Sequence, residues 1–160
     1  MKQLSKALAI GVASLLVGCA TNSLVVAPVG PNPSGFETHG KTGQIQVYSA
    51  LAGMTEGNNP TWFQHTDYWI CNQQGQRIKY VENENGYYAR TPRTITLPPG
   101  KYVIKAPAKD FATVDVPVVV EAGRITRVHL DDAWRPAGSQ ATELVSLPTG
   151  NPVGWSVNGK

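Results

Sequence analysis

The chain has 160 residues, 14 of them basic and 11 acidic, for a formal net charge of +3. It carries no basic stripe, which excludes the electrostatic footprint of nucleic-acid binding, and no acidic run. Its length suits one folded domain with one core.

At the N-terminus, Lys2 and Lys6 form a short positive segment, residues 7–17 form an apolar run broken only by Ser14, and Gly18-Cys19 close it with small side chains. This is the layout of a secretory signal helix. The run is shorter than the roughly 20 apolar residues that a transmembrane helix needs. The junction Leu16-Val17-Gly18-Cys19 resembles the bacterial lipobox. The resemblance implies that the Cys19 thiol takes a diacylglyceryl group through a thioether and that cleavage falls just before Cys19. Residues 1–18 would then be the signal peptide. Each buried methylene contributes about 0.8 kcal/mol, and two acyl chains hold firmly where one is marginal. The expected partner is therefore a membrane, reached through the anchor. Ala20, where an Asp would favour inner-membrane retention, resembles outer-membrane lipoproteins. The expected address is the cell envelope, with the outer membrane preferred to the inner. Loss of Lys2 and Lys6 would leave the mature chain near neutrality.

Lipidation of Cys19 leaves Cys71 without an intrachain partner. Cys71 lies in the apolar run Tyr68-Trp69-Ile70-Cys71, as a small buried hydrophobe or, alternatively, as an unpaired reactive thiol. Residues 19–40 hold Pro28, Pro31, Pro33, Gly30, Gly35 and Gly40 and read as a flexible tether. From there polar and apolar residues alternate, as in half-buried strands. Gln44-Ile45-Gln46-Val47-Tyr48 gives the first of these strands. Residues 50–66 show no period and read as a long loop. Residues 67–72 and 77–81 form a hairpin around Gln73-Gln74-Gly75, and residues 93–97 form the next strand. Pro98-Pro99-Gly100 turns the chain into a strand over residues 101–105. Val114, Val116, Val118 and Val120 line one face of the following strand, where Pro117 points to a sheet edge. Glu121-Ala122-Gly123 then turns the chain into a last strand over residues 124–130. The spacing predicts an all-β domain over residues 41–132, a single β-sandwich of about seven strands. Residues 133–160 form a Pro- and Gly-rich tail with room for a short hairpin around Thr149-Gly150-Asn151.

The stretch over residues 68–130 resembles bacterial transthyretin-like modules of the carboxypeptidase regulatory-like and PEGA types. Asn72-Gln73-Gln74-Gly75 looks like their polar turn, and Leu97-Pro98-Pro99-Gly100-Lys101-Tyr102 looks like their "LPPGKY" element. The resemblance implies an immunoglobulin- or transthyretin-like sandwich with a structural or binding role, and it supplies no catalytic residues. Tyr102 offers a ring for the core and a hydroxyl that can reach backbone.

Candidate chemistry is sparse. His39, His65 and His129 show no metal-ligand spacing, no nucleophile elbow occurs, and no cofactor or metal is expected. The aromatic residues Trp62, Phe63, Tyr68, Trp69, Tyr87 and Tyr88 either fill the core or stack on sugar rings. The leading expectation is a lipid-anchored envelope protein with a structural or protein-binding module and no catalysis, its partners being envelope proteins. The alternative is a carbohydrate- or peptidoglycan-binding module that engages cell-wall glycan through those rings.

Overall fold

The computed structural model describes residues 23–35, 40–55, 57, 62–83, 91–136 and 143–157. Leu16, Val17, Gly18 and Cys19 of the signal segment, together with Tyr87 and Tyr88, lie outside the described residues. The described chain is all-β. Its strands in order are β1 (Leu24–Val25), β2 (Val29–Gly30), β3 (Gly43–Tyr48), β4 (Leu51–Met54), β5 (Trp62–His65), β6 (Tyr68–Cys71), β7 (Arg77–Val81), β8 (Thr94–Leu97), β9 (Gly100–Ala108), β10 (Phe111–Val120), β11 (Ile125–His129), β12 (Leu144–Ser146) and β13 (Pro152–Ser156). The seven strands expected from alternation are β3 and β6 to β11. Six further short strands bring the described total to thirteen rather than about seven.

The strands form three sheets. The largest runs β12-β13-β2-β10-β9-β6-β7, with β1 also paired to β10; the second is β11-β3-β8; the third is the β4-β5 hairpin. Alternation sends one face of each strand inward. Ile45 and Val47 of β3, Ile95 and Leu97 of β8, Ile104 and Ala106 of β9, and the four valines of β10 join one buried cluster. The two larger sheets therefore share a core. Two connections carry the chain from one sheet to the other. Pro98-Pro99 links β8 to β9, which do not pair with each other, and the Tyr102 hydroxyl donates back to the Pro98 carbonyl at 2.9 Å. Residues 121–124 link β10 to β11, where Gly123 takes φ 71° and the Arg124 Nη1 meets Glu121 Oε2 at 2.7 Å. The β6-β7 turn is held by Asn72, whose Oδ1 accepts from the Gln74 and Gln76 amides at 3.1 and 2.9 Å.

Three expectations are corrected. First, residues 24–30 are not tether. β1 and β2 pair in parallel with β10, Val29 is fully buried, and the Val26 amide donates to the Asp115 carbonyl. The surrounding prolines hid a short apolar pattern whose partner strand lies some 90 residues away in sequence. Second, residues 50–66 include the β4-β5 hairpin, with Leu51 opposite His65 and Gly53 opposite Phe63. Its base is fastened by the Ala50 amide to the Pro107 carbonyl and the Thr66 amide to the Ala50 carbonyl, both at 2.9 Å. Third, β10 is not an edge strand. Pro117 faces Val103 of β9 and falls in the break on its other side, between Asp115, which pairs with Val25 of β1, and Val118, which pairs with Val29 of β2. A residue with no N–H to donate fits such a gap in the pairing.

The C-terminal segment forms the short hairpin its turn residues allow, β12 with β13. That hairpin joins the main sheet through β2, with Trp155 opposite Gly30 and Ser156 opposite Val29. Gly154 is required by this close approach, since a Cβ there would run into the Val29 side chain and the Arg127 carbonyl. Gly43 is placed likewise: a Cβ would overlap the Glu121 carbonyl oxygen.

Candidate functional site

The four candidate aromatic residues among the described ones, Trp62, Phe63, Tyr68 and Trp69, do not form one platform. Neighbours in a strand point to opposite faces, so Tyr68 and Trp69 part company. Tyr68 is 1% exposed and belongs to the core. Its hydroxyl has no hydrogen-bond partner among the described residues, and burial pushes its acidity well below that of an ordinary phenol. Trp62 and Phe63 sit on the β4-β5 hairpin, Phe63 being 63% exposed. Trp69 lies on the outer face of the main sheet.

Trp69 is the centre of a built surface. Register places Tyr80, Trp69, Lys105, Asp115 and Val25 in one cross-strand row over β7, β6, β9, β10 and β1. The Trp69 and Tyr80 rings lie 4.8 Å apart at 51°. The Arg77 guanidinium sits over the indole, 4.7 Å from its centroid, in cation–π geometry. Lys105 and Asp115 form an ion pair. The Tyr80 hydroxyl donates to Asp67 Oδ2 at 3.1 Å, and that bond raises its pKa above the ordinary phenol value. Tyr80, Trp69, Lys105 and Asp115 of this row line an open groove of about 880 Å³, to which Ser23, Leu24 and Phe111 also contribute.

A second aromatic surface lies by the smaller sheet and was not singled out from the sequence. Parallel pairing puts His129 opposite Tyr48. Their rings stack at 4.5 Å, and Trp134 stacks on the other side of His129, also at 4.5 Å. Trp155 meets Trp134 edge-on at 5.9 Å and 70°. Burial, then the charges of Arg127 and His65, pull the His129 pKa down to about 4. Arg127 Nε donates to Gln46 Oε1 at 3.3 Å, and Arg135 is held by Asp132 at 2.8 Å. The two indoles, both arginines and Asn32 line a pocket of about 270 Å³. The sequence signal was faint: Trp134 and Trp155 lie in a Pro- and Gly-rich stretch, and only the register of β11 and β13 brings them together.

Among the described residues, Cys71, His65 and His129 are each engaged in the fold. Cys71 is fully buried. Burial raises its thiol pKa, with Lys105 offsetting part of that, so at neutral pH it is a thiol rather than a nucleophilic thiolate. The His65 Nδ1 lies 2.8 Å from the Ser49 carbonyl. His129 is enclosed by its two ring neighbours. Among the described residues, no group of three or more His, Cys, Asp or Glu is placed to hold a metal ion. Compared with protein-family models, curated proteins and solved structures, the chain matches none.

Proposed function

We propose that this chain is an envelope lipoprotein, anchored by lipid on Cys19, whose immunoglobulin- or transthyretin-like β-sandwich serves as a structural or protein-binding module rather than a catalyst. The observation that carries the reading is the run Leu16-Val17-Gly18-Cys19 at the end of an apolar segment, with the first strand beginning at Leu24. The sandwich is supported by the shared core of the two larger sheets and by the Tyr102 hydroxyl bound at the Pro98 corner. A non-catalytic role is supported by the engagement of Cys71, His65 and His129. Ala20 favours the outer membrane as its address. Replacing Cys19→Ser tests the anchor: labelling by a fatty-acid probe should disappear and the domain should leave the membrane fraction. Retained labelling would overturn the reading.

A second reading, binding of carbohydrate or peptidoglycan, is favoured by one observation: the corner of Trp134 and Trp155 flanked by Arg127 and Arg135. This is a different set of rings from the one the sequence suggests. Titration with soluble cell-wall glycan fragments should quench tryptophan fluorescence in the unchanged chain and not in Trp134→Ala. An unchanged signal in both would remove the glycan reading.

A further inference from the structure

We infer that the groove over Trp69, Tyr80 and Arg77 is the face the domain lays against the headgroup region of the bilayer that holds its anchor. The inference rests on lipidation of Cys19 and goes beyond it, since an anchor alone leaves orientation free. Distance comes first. Ser23, which lines the groove, follows Cys19 by only four residues. Fully extended, four residues span about 14 Å. The expected tether of some 20 residues would have let the domain turn any side to the membrane, but the sheet already begins at Leu24, where β1 pairs with β10. The groove is therefore the first part of the folded domain that the anchored chain reaches.

The chemistry of the groove fits that neighbour. Indole and phenol rings settle at the boundary between headgroups and acyl chains because each joins an apolar body to a polar tip. Trp69 and Tyr80 provide one of each, with the Tyr80 hydroxyl at the rim. Arg77 forms no ion pair among the described residues, and its guanidinium stands over Trp69, where it can meet a lipid phosphate. Val25, 64% exposed, stands at the end of the row nearest to Cys19 in sequence and adds an apolar side chain to the same face. The Lys105–Asp115 pair neutralises its own charges within the row, so the cross-strand floor carries no net charge to repel the membrane. Five strands about 4.8 Å apart make a face about 19 Å wide, broad enough to fix tilt rather than a single point of contact.

The test uses the full chain, purified with its lipid and reconstituted into phosphatidylethanolamine–phosphatidylglycerol vesicles that contain a nickel-chelating lipid. Nitroxide labels are attached to Thr113→Cys, at the groove, or to Thr96→Cys, on the far face of β8; buried Cys71 stays unlabelled. Relaxation of the Thr113 label by headgroup nickel should exceed that of the Thr96 label by threefold or more. Combining Trp69→Ala with Arg77→Gln should bring the two readings together while the thermal transition persists. Intact mass separates the two levels of the argument. A lipidated mass with equal relaxation at both labels, or stronger relaxation at Thr96, overturns the docking face alone, whereas an unmodified mass overturns the anchor and the docking face together.

Discussion

The imidazole of His129 lies between the rings of Tyr48 and Trp134, and its pKa falls from 6.5 to about 4 on folding. In the unfolded chain this group takes up a proton near pH 6.5; in the folded chain it does so only near pH 4. Its contribution to stability is therefore complete above about pH 6.5 and is lost as the pH falls toward 4. Urea midpoints measured across this range should drop more steeply for the unchanged chain than for His129→Phe, which keeps a stacked ring without the proton site. Gly43 makes a second residue-scale prediction. Because an added Cβ would overlap the Glu121 carbonyl, Gly43→Ala should cost about 1–3 kcal/mol, the usual range for overpacking, read as a lower denaturation midpoint. Neither effect was legible in the sequence. The alternation of β3 shows which residues face inward, but the stack on His129 and the crowding at Gly43 depend on which strand lies beside it.

Among the elements, the long alternating strands were the legible ones. β3, β10 and β11 each carry enough inward apolar positions to set their own period, and the turns at Asn72 and Gly123 are marked by residues with a definite conformational role. β1, β2, β4 and β5 are two to four residues long, too short for any period to show. Their pairing is imposed by distant partners, which also explains why prolines and glycines nearby misled. The candidate rings fared similarly. Strand geometry sends Tyr68 inward and Trp69 outward, while the pairing of Trp134 with Trp155 needs a contact between the chain after β11 and β13. Gly154 tests how tightly the last hairpin is fastened. In Gly154→Ala the new methyl would strike Val29 and the Arg127 carbonyl. Hydrogen exchange should then accelerate in β2, β12 and β13 before it does in β9 and β10.

At the scale of the whole molecule, the folded unit exceeds the expected limits of 41–132 at both ends. A chain trimmed to those limits loses Val29, Val145, Leu147 and Val153, all buried. Each is worth about 1.5–3 kcal/mol of burial, and together they approach the roughly 5–15 kcal/mol by which a domain is stable. The trimmed chain should show no cooperative thermal transition, whereas residues 20–160 should. The pairing of β2 with β13 has a consequence in time. On the export route proposed above, Val29 crosses the membrane 127 residues ahead of Ser156. The seam between them stays open for that whole interval. Until it closes one side of β2 is left waiting, and whatever holds exported chains open during passage has that strand to shield.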